Sequence, residues 1–154
     1  MILALTMAGL PPGAPAADHA TVLAGARPPV SEKKVHSMKI RLTVNGKLIN
    51  ATLADNPSAR DFLALLPLSL TLKDYASTEK ISDLPKKLTT QGAPAGIDPE
   101  LGDITYYAPW GNLAIFYRDF GYSAGLIKLG HIDAGMEALN ISGPLQVTIE
   151  AENP

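Results

Sequence analysis

Met38-Lys39-Ile40-Arg41-Leu42-Thr43-Val44-Asn45-Gly46-Lys47-Leu48-Ile49-Asn50-Ala51-Thr52-Leu53 reads as a β-hairpin. Ile40, Leu42 and Val44 alternate with Arg41 and Thr43, the period of two that puts one face of a strand on a core. Asn45-Gly46 follows, a pair that tolerates the positive φ at both central positions of a type I′ turn. The spacing predicts an antiparallel return over 47–53, with Ile49, Ala51 and Leu53 facing the core.

Downstream, Asn56 stands before Pro57, an N-cap with proline at the first helical position, and Phe62, Leu63, Leu65 and Leu66 follow at helical spacing until Pro67. The pattern predicts a short helix over about residues 57–66. Ser69–Tyr75 alternates as a strand. Ile81–Thr90 is mixed and interrupted by Pro85, with a further short strand expected near Leu88. Gln91–Leu101 carries Gly92, Pro94, Gly96 and Pro99 and reads as a loop. Ile104–Tyr107 and Leu113–Tyr117 are expected strands joined around Ala108-Pro109-Trp110-Gly111-Asn112, and Gly125–Ile132 is another. Asp133 is expected to cap a short helix through Leu139, and Leu145–Ala151 closes the chain as a final alternating strand. Seven or eight short strands with two short helices give a mainly β fold, a closed or nearly closed antiparallel barrel, since closure removes the exposed edges such a set would leave.

The first 37 residues differ in composition. Ile2–Leu10 is apolar but too short to span a bilayer, and the small-residue sequence Ala14-Pro15-Ala16-Ala17 follows. Residues 1–17 thus resemble a signal peptide, although no basic residue precedes the apolar run. Either basic residues lie upstream of Met1, or the native start is Met38 and the domain is cytoplasmic; with a signal peptide the expected location is exported or periplasmic. Residues 18–37 hold Pro28, Pro29, Ser31, Glu32, Lys33 and Lys34 without hydrophobic period and read as a disordered linker. The barrel domain is expected over 38–154.

Composition excludes several classes of function. With 154 residues and no cysteine, there is no disulfide, thiolate zinc site or cysteine nucleophile. A net charge of −2 and basic runs no longer than two residues leave no footprint for nucleic acid. No stretch is long and apolar enough for a transmembrane helix. No phosphate-cradling glycine motif, Gly-x-Ser-x-Gly context around Ser77, Ser82 or Ser123, or spaced ligand set around His131 is present, so no cofactor or metal is expected.

Five segments together carry a resemblance: Met38-Lys-Ile-Arg-Leu-Thr-Val-Asn-Gly, Asn56-Pro-Ser-Ala-Arg-Asp-Phe, Leu70-Thr-Leu-Lys-Asp-Tyr, Gly102-Asp-Ile-Thr-Tyr-Tyr-Ala-Pro-Trp-Gly-Asn-Leu-Ala-Ile-Phe-Tyr and Gly130-His-Ile. Over about residues 38–151 the chain resembles the small bacterial cyclophilin-like proteins. The resemblance implies an eight-stranded cyclophilin-like barrel capped by helices and brings no assigned reaction with it. The Phe-His-Arg and Gln-Gly-Gly motifs of enzymatic cyclophilins are echoed only by Phe116-Tyr117-Arg118 and Gln91-Gly92, in the wrong chain order and without the histidine. No catalytic role is carried over.

The residues themselves point to a binding surface. Residues 102–132 concentrate the aromatic side chains, among them the one tryptophan of the chain, and such side chains build either a core or the wall of a groove. Tyr75, Tyr107, Trp110, Phe116 and Tyr122 are the candidate ligand-binding residues, and Trp110 is singled out because a bulky aromatic in a Pro-Trp-Gly-Asn turn gains little from local geometry. The expected partner is a peptide segment or a small apolar molecule. The alternative is a weak peptidyl-prolyl isomerase, which needs an apolar pocket and a donor to the prolyl nitrogen. Arg118 is the candidate donor, with Arg41 second. The competing expectations are a surface pair between Arg118 and a neighbouring carboxylate such as Asp119, a solvated Arg41, an exposed Arg60, and solvated carboxylates at Asp74, Glu79 and Asp83.

Overall fold

A computed structural model describes residues 38–153. The signal peptide and linker expected before Met38 lie outside the described residues.

Strands β1 (Met38–Val44) and β2 (Lys47–Leu53) form the expected hairpin, with Asn45 at φ 50° and Gly46 at φ 77°. Helix α1 (Pro57–Ala64) follows. The Asn56 side chain accepts the Ala59 N–H at 2.8 Å, the cap anticipated from Asn-Pro. The chain continues through β3 (Leu68–Tyr75), β4 (Glu79–Asp83), β5 (Gly96–Ile97), β6 (Asp103–Tyr107), β7 (Asn112–Phe116), β8 (Ser123–Ala124), β9 (Leu126–Ala134), a 3-10 turn (Met136–Leu139) and β10 (Leu145–Ala151).

Eight of these strands close a barrel in the order β1-β10-β3-β4-β7-β6-β9-β2, all pairs antiparallel, while β5 and β8 pair separately as a two-stranded flap. The interior is filled by Ile40, Leu42, Val44, Ile49, Leu72, Ile104, Leu113, Ile115, Leu129, Val147 and Ile149. Phe62 and Ala59 of α1 enter this core at one end, and Ala138 and Leu139 of the 3-10 turn enter it at the other. Where β9 passes β2, Gly130 lies so close to the Thr52 carbonyl that a Cβ there would collide with it.

Several expectations are corrected. The strand sought near Leu88 lies at 79–83; Leu88 is buried in a loop, its N–H donating to the Tyr106 hydroxyl at 3.3 Å. The loop over 91–101 contains the short strand β5. Asp133 caps no helix: it stays in β9, where its carboxylate accepts from Thr52 at 2.6 Å and Lys39 at 3.0 Å, and the chain turns only at Gly135, φ 92°. The second helix is therefore a four-residue 3-10 turn.

A second, smaller apolar cluster lies on the outside of the barrel wall. In an antiparallel pair, directly opposed residues share a face, and the registers Tyr75↔Glu79, Glu79↔Phe116, Ile81↔Ala114 and Tyr107↔Asn112 set these side chains outward across β3, β4, β7 and β6. Ala114, Phe116 and Leu126 are buried there against Ile81, Ile97 and Tyr107. The flap contributes Ile97 to this cover. No helix among the described residues is long and apolar enough to cross a membrane.

Candidate functional site

The outer cluster opens into a pocket of about 160 Å³ lined by Tyr75, Glu79, Tyr107, Trp110, Asn112, Phe116, Phe120, Ser123 and Leu126. Its floor is the outward face of β7, where Asn112 and Phe116 sit four residues apart and so on one side of the strand. The β6–β7 connection places Trp110 at the rim. The Trp110 and Gly111 N–H groups both donate to the Tyr107 carbonyl, at 3.3 and 2.8 Å, so the turn is pinned and the indole is held upright. Trp110 packs edge to face on Tyr75 (centroids 5.6 Å, 88°) and on Tyr107 (5.2 Å, 85°), and Phe116 meets Phe120 at 6.0 Å. Such pairs contribute about 0.5–1.5 kcal/mol each beyond their buried area. The rings are thereby fixed, yet Trp110 remains 58% exposed and Phe120 51%.

Two polar groups in this apolar lining are not compensated by protein partners. Asn112 is 3% exposed, and although its amide N–H donates to the Leu113 carbonyl at 3.1 Å, its Oδ1 has no hydrogen-bond partner among the described residues. An unmade bond of that kind costs about 1–3 kcal/mol. Glu79 is partly buried, and desolvation raises its carboxyl pKa to about 6. None of the ion pairs among the described residues involves it.

The sign of the Glu79 effect is testable. A carboxyl whose folded pKa lies above its unfolded one favours the fold most below the unfolded value, near 4.5, and that advantage is lost as pH rises through about 6. Glu79→Gln is accordingly expected to stabilise the protein against urea at pH 7.5 by about 1 kcal/mol, a figure reduced for the solvent the carboxyl still sees, and to leave stability at pH 4 unchanged. Equal midpoints for variant and parent at both pH values would contradict it.

The structure brings Tyr75, Tyr107, Trp110 and Phe116 into one pocket and leaves out Tyr122, which is 63% exposed, its hydroxyl turned toward Gly96. Phe120, Asn112 and Leu126 were not anticipated. The arginines lie elsewhere. Arg118 is exposed on a polar depression of about 470 Å³ with Asp74, Ser77, Tyr117 and residues 139–142, and it makes no ion pair with Asp119, whose carboxylate accepts the Leu101 N–H at 3.1 Å. Arg41 is bound through Nε (3.2 Å) and Nη2 (2.9 Å) to Glu152, and Arg60 pairs with Asp55.

Of the carboxylates expected to be solvated, only Asp83 is simply exposed. Asp74 pairs at 2.8 Å with Lys80, whose side chain is 1% exposed, and that bond together with the Gly143 N–H holds its pKa below the usual carboxylate range. His131 binds the buried Asp103 at 2.9 Å, beside Lys128 at 2.8 Å. Burial would raise the Asp103 carboxyl, but the hydrogen bonds from Lys128, His131 and the Glu100 N–H outweigh it and lower its pKa. Both clusters tie loops to strands.

Residues 42–150 match the family model described as the cyclophilin-like family. No curated protein matches the chain at a significant level. Among solved structures, the chain is similar to a hypothetical protein from Archaeoglobus fulgidus determined in solution, with a TM-score of 0.56 and 19% identity, the match covering 75% of this chain and 95% of that one. It is also similar to McbB in complex with tryptophan, with a TM-score of 0.54 and 12% identity over 75% of this chain and 45% of that one. At these identities the likeness concerns the fold.

Proposed function

The chain belongs to the cyclophilin-like family, and from that premise we propose that it is a binding module whose ligand sits in the outer aromatic pocket. The observation that carries the reading is the convergence of five rings, Tyr75, Tyr107, Trp110, Phe116 and Phe120, around one concavity. Core packing alone does not account for them, because Trp110 and Phe120 each expose about half their surface while packing on Tyr107 and on Phe116 respectively. Glu79 and Asn112 add to this: both are placed where protein alone leaves them poorly served, and local rules are broken in this way where a site has a function. At about 160 Å³ the pocket is smaller than the roughly 300–1,000 Å³ of sites for drug-sized ligands. It suits one side chain of a peptide or a small molecule.

The isomerase alternative draws no support from the arginines. Amide-donor catalysis needs a cationic or N–H donor beside the proline pocket, whereas Arg118 lines the other depression and Arg41 and Arg60 are paired with carboxylates.

The single tryptophan makes the test direct. Titration of the full chain with cyclohexanol and with N-acetylproline methylamide is expected to give a saturable change in Trp110 emission for at least one of them. Tyr75→Ala, which removes a rim ring that is 43% exposed, is expected to weaken that binding about three- to tenfold while costing no more than about 1 kcal/mol of stability. Emission that drifts linearly with both probes, or binding unaltered by Tyr75→Ala, would count against the pocket.

A further inference from the structure

We propose that the pocket takes a protonated amine carried on a short apolar stem, as at the end of a lysine side chain or in a small alkylamine. The inference rests on the binding reading above and names its ligand class.

The lining is complementary to a cation. Aromatic rings present negative faces, and a cation over them gains about 0.5–2 kcal/mol depending on how far water is excluded. Among the lining residues one is charged, the acid Glu79, and no basic side chain is among them. Lys80 points into the barrel end and binds Asp74 and the Ile141 and Gly143 carbonyls, Lys128 binds Asp103, and Lys73, outward on β3 opposite Ile81, lines a separate depression with Thr71, Ser82 and Asp83. A neutral apolar guest would cover the Glu79 carboxylate and leave it without a partner, which is costly in a desolvated site. An ammonium serves it with charge and N–H together, whereas the Asn112 Oδ1, closed off from solvent and four residues along β7 from the Phe116 that faces Glu79, lies out of its reach. The need for an N–H favours a primary or partly methylated amine over a quaternary one. The small volume leaves room for the charged head and a few methylenes.

Binding is then tied to the ionisation of Glu79. The other titratable or charged groups packed around it are Tyr75 and, diagonal across the pair, Lys73 from β3, Tyr107 from β6, and Tyr117 and Arg118 just past β7, with Lys80 next in β4 but turned to the barrel interior and Asp119 turned to the Leu101 N–H. The Glu79 carboxyl, pushed up by desolvation to about 6, lies between the two pH values of the test.

The experiment follows the one indole N–H resonance of the full chain while n-butylammonium chloride or 1-butanol is added at constant ionic strength. At pH 7.5 butylammonium is expected to saturate at a concentration at least tenfold lower than 1-butanol. At pH 5, and in Glu79→Gln at pH 7.5, the two are expected to converge to within about twofold, butylammonium binding more weakly and 1-butanol no more weakly than before. Equal affinities at pH 7.5 would overturn the amine while leaving the pocket a binding site. An ammonium advantage that survives in Glu79→Gln would overturn the assigned role of the carboxylate, and an indole resonance that moves with neither probe would overturn this inference and the binding reading together.

Discussion

Lys80→Ala is expected to destabilise the barrel by about 3 kcal/mol, because it removes a buried ammonium from two carbonyls and from a partly exposed carboxylate. Lys80 lies on the inward face of β4, and its ammonium holds Asp74 at 2.8 Å and donates to the carbonyls of Ile141 at 2.6 Å and Gly143 at 3.2 Å. It thereby links β4 to β3 and to the loop between the 3-10 turn and β10 at one end of the barrel. Asp74 keeps bonds from the Tyr117 hydroxyl (3.1 Å) and the Gly143 N–H (2.8 Å), and its side chain is 34% exposed. Water can therefore meet part of the loss. Lys80→Met, which keeps the stem and removes the charge, is expected to lose most of the same stability in urea unfolding. The sign with pH follows from the depressed Asp74 pKa: the stabilisation it reports is complete above the ordinary carboxylate pKa and is lost as pH falls through the lowered value, so parent and variant should converge in acid. Equal urea midpoints at pH 7 would mean that the link carries nothing.

Phe62→Ala is expected to cost about 3–5 kcal/mol, through lost apolar burial and the cavity left behind. Phe62 is wholly buried, the largest side chain that α1 contributes to the core. Its ring lies in the interior cluster, whereas the aromatic pocket is built on the outside of the barrel. The Trp110 emission maximum of the folded variant should accordingly match that of the parent, with the urea midpoint alone falling. A shifted emission maximum in native buffer would show that the two faces are coupled.

The hairpin, the Asn-Pro cap and the final strand were legible in the sequence because each rests on local chemistry: positive φ at Asn45-Gly46, an N-cap oxygen at Asn56, and strict alternation over Leu145–Ala151. β4 was not. In Glu79-Lys80-Ile81 the usual order is reversed, with Lys80 inside the barrel, where it finds Asp74 and two carbonyls, and Ile81 outside under the flap. Alternation cannot reveal a buried lysine whose partners lie 61 and 63 residues further on. Asp133 was misread for a related reason, since its partners Lys39 and Thr52 come from β1 and β2.

The proposed pocket was half legible. Tyr75, Tyr107, Trp110 and Phe116 could be found because aromatics at strand ends and in a turn are conspicuous. Asn112 read as a turn residue, and its burial follows only from its register opposite Tyr107. Phe120 and Tyr122 flank Gly121, φ 107°, in a segment without period, so nothing local told which ring turns to the pocket. The expectation of a solvated Glu79 fails because the groups that bury it come from other strands.

A crystal structure after soaking with small ring-bearing fragments would test most directly whether the outer aromatic pocket is where this protein binds. Density enclosed by Tyr75, Trp110, Phe116 and Phe120, with a polar atom of the fragment toward Glu79, is the expected outcome. Fragments gathered instead in the depression beside Asp74 and Arg118, with the aromatic pocket free of density, would contradict it.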